Sequence, residues 1–173
     1  MNYFSIIISV ILRLIPHPVN VSPIGSLALI NSKKYGMIQG ILVALLAMLI
    51  SDIFLGFSFA SPFVYLGFMS YAFFGYFKKL NPVAAVTLGS SAFFLISNFG
   101  VWIGPWYPHT LAGLVSCYVN ALPFFRNTLV GDLVIVTALS VALNLFSKLN
   151  LNFNLKEEFQ WVKSSKAVSL KRR

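Results

Sequence analysis

Long apolar runs, cut by proline, glycine and pairs of lysine, dominate this chain, and charge is nearly absent inside them. Of the 173 residues, 58% are hydrophobic and 10% charged, and the mean hydropathy is +0.82. A water-soluble domain carries about 25% charged residues and needs them to coat its surface. The hydrophobicity excludes a disordered chain, and the lone Cys117 excludes a disulfide scaffold. An all-α integral membrane protein in one domain remains. At about 20 residues per spanning helix, the length accommodates six or seven spans at most.

The punctuation predicts six. A first helix runs from about Tyr3 to Ile15 and stops at Pro16-His17-Pro18, where proline removes backbone donors. Ser22-Pro23 is an N-cap followed by proline and opens a second helix, through Ile24 to about Ile30, which is short for a span and so either tilted or buried against its neighbours. The third runs from Gly36 to about Leu55. Ser61-Pro62 opens the fourth, which ends at Lys78-Lys79, and Asn81-Pro82 opens the fifth, to about Ile103. The sixth is expected from near Asn127 to just before Lys148. Between the last two, Leu111, Leu114, Val115, Tyr118 and Leu122 recur at helical spacing, with Gly113, Ser116, Cys117 and Asn120 opposite. This predicts a short amphipathic helix in the last outer loop, ended by Pro123.

Basic residues orient the spans. Lys33-Lys34, Lys78-Lys79 and the tail fall at alternate ends, and short lysine-rich loops face the cytoplasm, so both termini are expected inside. Residues 1–148 form the membrane domain and 149–173 a basic cytoplasmic tail. Seven of the 13 Lys and Arg lie from Lys148 onward, where they suit an anionic lipid surface; no nucleic-acid motif accompanies them. Lys163 to Arg173, serines among dispersed basic residues, is expected to stay mostly unfolded. Met1 to Ile15 lacks a basic n-region and a cleavage site, so it is expected to remain as a membrane helix.

Ionisable groups within a bilayer cost roughly 2.5–3.5 kcal/mol each at mid-depth, so they pair or line a cavity. Arg13, Asp52, Arg126 and Asp132 are all expected in the outer parts of their helices, with Asn98 at a similar depth. Two readings fit: a shared polar site open to the outside, or two ion pairs that lock helices together. Trp102, Trp106, Tyr107, Phe124 and Phe125 crowd the same side with His109, either as a headgroup belt or as a lid over a planar ligand. His17, His109 and Cys117 show no H-x-x-H, C-x-x-C or H-E-x-x-H spacing, so no metal site or cofactor is expected. G-x-S-x-G and P-loop patterns are missing from the sequence, and no enzymatic activity is expected. Gly36, Gly40 and Ala44 form a small-residue ridge for close helix contact, within the bundle or with a partner helix.

Several stretches read together as a family pattern. They are Arg13-Leu-Ile-Pro-His-Pro-Val-Asn-Val-Ser-Pro-Ile-Gly25, Ser51-Asp52 with Leu55-Gly56, Asn98-Phe-Gly-Val-Trp102, Tyr107-Pro-His-Thr-Leu-Ala-Gly113, Cys117-Tyr-Val-Asn-Ala-Leu-Pro-Phe-Phe-Arg-Asn127 and Gly131-Asp132. From about Arg13 to Lys148 the chain resembles an uncharacterised bacterial membrane-protein family related to the substrate-binding (S) components of energy-coupling-factor vitamin transporters. The resemblance implies a six-helix S-component fold in the inner membrane. Its ligand, a small vitamin- or cofactor-like solute, would be held at the outer face by the connections between spans 1–2, 3–4 and 5–6. It further implies a transmembrane coupling protein with two ATPases as partner, docked on small-residue ridges; here the first helix is bulky, with Ile6, Ile7, Ile8 and Val10. The expected ligand-binding set is Arg13, His17, Asn20, Asp52, Asn98, Trp102, Trp106, Tyr107, His109, Cys117, Asn120, Arg126, Asn127 and Asp132. The alternative is a membrane scaffold or assembly protein that transports nothing and whose charges are purely structural.

Overall fold

The computed structural model describes residues 3–16 and 20–170, with side chains as far as residue 149 except residue 147. Six helices and no strand occur among the described residues: α1 (Tyr3–Leu14), α2 (Pro23–Tyr35), α3 (Met37–Leu55), α4 (Ser61–Tyr76), α5 (Pro82–Ile103) and α6 (Leu111–Leu170). The capping signatures act at two of the three expected starts. Ser22 Oγ accepts from the Ile24 amide, and Asn81 Oδ1 from that of Ala84 at 2.7 Å. Ser61 does not cap α4; its hydroxyl instead accepts from the Ser58 amide at 2.9 Å, closing the turn before the helix.

Three helices are long and apolar enough to cross a membrane: α3, α5 and the Leu111–Phe146 part of α6. The other three have 12, 13 and 16 residues. They rise roughly 18–24 Å at 1.5 Å per residue, short of a hydrocarbon core about 30 Å thick. Six full-length spans are therefore not supported. The brevity of α2 goes with its place in the interior, where nine of its 13 residues are buried.

The last helix departs from expectation in three respects. No separate amphipathic helix ends at Pro123, because α6 runs straight through it. Proline removes a single i→i−4 bond, and where no water competes for the remaining backbone groups, continuing the helix is the way to satisfy them. The expected faces are also not kept. Leu111, Val115 and Leu122 are exposed with Ser116 and Asn120, Leu114 and Tyr118 are half-buried, and Gly113, Cys117 and Ala121, four residues apart, are buried. In lipid the apolar side has no reason to turn inward, and small residues gain most from close helix contact. Beyond Lys148 α6 continues to Leu170, and so runs into the segment from Lys163 that is expected to stay mostly unfolded. That stretch holds neither Gly nor Pro and is rich in Leu, Lys and Glu, all good helix formers.

The chain divides into two compact units, Met1–Thr137 and Ala138–Arg173. The core of the first is built around Tyr71, fully buried with Ile24, Leu29, Met48, Val86 and Val136. Its ring lies between two glycines: a Cβ on Gly25 or Gly89 would meet it at 2.6 or 2.7 Å. The expected small-residue ridge packs within the bundle. A Cβ on Gly40 would reach the Ala28 carbonyl oxygen at 2.5 Å and the Cβ of Ala72 at 2.8 Å. Gly36 lies outside the ridge, as the C-cap of α2 at φ +102°. At the far end of α2, Lys33 Nζ donates to the Leu80 carbonyl at 2.5 Å and Lys78 Nζ donates back to the Lys33 carbonyl. The two lysine pairs thus share one end of the bundle.

Gly75 shows how tight these contacts are, since an added Cβ would lie 2.5 Å from the Leu29 carbonyl oxygen and 3.0 Å from its Cα. Backbone cannot yield as a side chain does. Gly75→Ala and Gly40→Ala should each cost about 1–3 kcal/mol, seen as a lowered Tm of the detergent-solubilised protein. Val130→Ala, on an exposed face of α6, should leave Tm unchanged.

Candidate functional site

The scarce polar side chains gather into two hydrogen-bonded knots. In the first, Arg13 in the last turn of α1 reaches α3. One guanidinium nitrogen pairs with Asp52 Oδ1 at 2.7 Å, and the other donates to Ser51 Oγ at 2.5 Å. Tyr65 of α4 donates its hydroxyl to Asp52 Oδ2 at 2.7 Å, so both carboxylate oxygens are occupied. In the second knot, Asp132 of α6 accepts from three hydroxyls on three other helices. These are Tyr71 at 2.5 Å and Ser90 at 2.7 Å, both on Oδ2, and Ser26 at 3.2 Å on Oδ1. The Asp132 residue is only 3% exposed.

A cavity of about 320 Å³ lies against both knots. Its polar lining comes from Arg13, Asn20, Ser22, Ser97, Asn98, Thr128 and Asp132, and its walls from Phe68, Tyr71, Phe93, Phe94, Phe124 and Phe125. Asn20 and Ser22, just before α2, line one side, where Asn20 adopts φ +62° and its carbonyl accepts from Thr128 Oγ1 of α6 at 3.2 Å. Left-handed backbone is unusual for any residue but glycine, and asparagine tolerates it best. The volume sits at the low end of the roughly 300–1,000 Å³ of ligand pockets, which are typically apolar with a few convergent polar groups.

Four of the residues proposed from the sequence, Arg13, Asn20, Asn98 and Asp132, line this cavity, and Asp52 stands behind Arg13. Arg126 is exposed, does not line it, and forms no ion pair with a described residue. Asn127 is likewise exposed and outside the lining. The aromatic turn after α5 closes on itself. Trp102 Nε1 donates to the Pro108 carbonyl at 3.1 Å, and His109 Nε2 lies 3.0 Å from the Ile103 carbonyl. Asn120 Nδ2 donates to the Tyr107 hydroxyl at 3.3 Å, and the half-exposed Trp106 lies against Gly104. None of these five side chains lines the cavity. Cys117 is buried, 3.5 Å from the Asn98 carbonyl, and no group of three metal-ligating side chains occurs among the described residues. His17 lies outside the described residues.

Sequence reasoning missed the partners. Ser26, Tyr71 and Ser90 hold Asp132, and Ser51 and Tyr65 complete the Arg13–Asp52 pair. The signal was present: a hydroxyl midway along an apolar helix must find a partner, and an intramembrane carboxylate is the strongest acceptor on offer.

Because Asp52 is buried, removing its partner strands a charge, whereas removing both leaves none. Arg13→Ala should destabilise the protein by about 3 kcal/mol, and Arg13→Met with Asp52→Leu by clearly less than the sum of the single variants. A double-mutant cycle on Tm in detergent measures this coupling, and additivity would show that the pair carries no structural weight.

No curated protein and no solved structure matches the chain. One family does match, DUF6580, a family of unknown function, over residues 1–153 of the 173. The chain belongs to that family.

Proposed function

We propose that the protein is a multi-pass membrane protein that binds a small vitamin- or cofactor-like solute and takes it up, in the manner of an S component. The observation that carries this reading is the cavity, where Arg13 and Asp132, from helices 119 positions apart in sequence, meet an aromatic wall. Evolution places ionisable groups within apolar helices at a cost, and a receiving site explains the cost. The reading keeps a six-helix arrangement in which α3, α5 and α6 cross fully. The shorter α1, α2 and α4 lie within the bundle, with local bilayer thinning at their ends. The lysine pairs and both termini face the cytoplasm of a bacterial inner membrane, and the cavity faces outward. A coupling protein with ATPases is the partner this reading brings with it, and anionic lipid meets the basic tail. It assigns no catalysis, cofactor or nucleic acid.

A scaffold is the second reading, and one observation favours it: the Arg13–Asp52 pair is fully partnered without any ligand. Native mass spectrometry of the purified full-length chain separates the two. A small-molecule adduct should appear in the wild type and in Arg126→Ala but vanish in Ala121→Phe, which fills the cavity and should remain monodisperse. A wild-type spectrum free of adduct, with uptake absent from proteoliposomes supplied with the extract of the expressing cells, would favour the scaffold.

A further inference from the structure

The charges around the cavity are not balanced, and the imbalance points to a ligand class. Arg13 reaches the lining, but its positive charge is answered by Asp52 at 2.7 Å. Arg126 is exposed and is not part of the lining. Asp132 is thus the one acidic side chain of the lining, with no cationic partner among the described residues.

Its hydrogen bonds also stop short of saturation. A carboxylate accepts about four, and three hydroxyl groups contact this one. Each hydroxyl has a single hydrogen. That of Ser90 is shared with the Val86 carbonyl at 2.9 Å, and that of Ser26 with the main-chain carbonyl of Asp132 at 3.4 Å. Oδ1 therefore holds one long contact and retains room for a strong donor. Phe68, Phe93, Phe94, Phe124 and Phe125 line the same cavity, and aromatic rings favour a flat ring and attract positive charge at their faces.

Resting on the solute-binding reading above, we infer that the cavity takes a small aromatic or heteroaromatic cation, with its positively charged N–H group on Asp132 Oδ1 and its ring among the phenylalanines. An aromatic anion is disfavoured, because its carboxylate would face Asp132 while the only cation nearby is already paired.

Three ring compounds of similar size test this on the full-length protein in detergent: benzamidine, benzoate and benzyl alcohol, read by isothermal calorimetry and by Tm. Benzamidine should bind at least tenfold more tightly than benzoate, with benzyl alcohol between them. Asp132→Asn keeps the shape and the acceptor oxygen and should erase the preference for benzamidine. Ala121→Phe, which fills the cavity from α6, should abolish binding of all three while the protein stays monodisperse. Equal or stronger binding of benzoate, or a benzamidine preference that survives Asp132→Asn, overturns the ligand class. So does failure of all three compounds to bind. If the wild type still carries a native adduct in any of those cases, the solute-binding reading stands and only the class falls; without an adduct, both fall.

Discussion

Four helices meet at one carboxylate. Asp132 of α6 is reached by Ser26 of α2, Tyr71 of α4 and Ser90 of α5, and no other polar contact in the described bundle joins so many elements. In a solvent of lipid tails, apolar burial does little to draw helices together, so hydrogen bonds and close packing decide which faces meet. Asp132 sets the rotation of α6, and Tyr71, pinned by its hydroxyl, becomes the fixed object around which the other helices pack.

That pinning explains where the small residues fall. The Tyr71 ring needs Gly25 and Gly89 on either side, and the approach of α4 to α2 needs Gly75. Gly113, Cys117 and Ala121 turn inward on α6 while Leu111, Val115, Val119 and Leu122 of the same stretch face outward. The same geometry leaves a gap between α4, α5 and α6, lined by phenylalanines that do not close over it. The cavity thus joins polar groups held by the bundle's own hydrogen bonds to an aromatic wall drawn from three helices.

Much of the helical framework was legible in the chain. Pro16, Ser22-Pro23, Ser61-Pro62 and Asn81-Pro82 mark real boundaries, because proline and capping residues act locally on backbone donors. Pro123 misled for the same reason: a local rule meant for water was applied where no water competes. Helix length misled for α1 and α4, which are too short to cross unaided, whereas the brevity of α2 already pointed to a buried place. The site was half legible. Arg13, Asp52 and Asp132 stand out as scarce charges, but Trp102, Tyr107 and His109 were grouped with them by side of the membrane alone. They spend their polar groups on the fold of their own turn.

The amino-acid sequence by itself determined an all-helical chain with segments long and apolar enough to cross a membrane, where its helices begin, and which few ionisable groups need an explanation. Those outcomes follow from composition and from short-range chemistry that each residue carries with it. Only the tertiary structure decided that Arg13 pairs with Asp52 rather than with Asp132, that hydroxyls rather than a cation answer Asp132, and that Arg126 stands apart. Such choices depend on the rotation of one helix against another. Contacts between residues scores of positions apart in the chain set that rotation, and no local pattern records it.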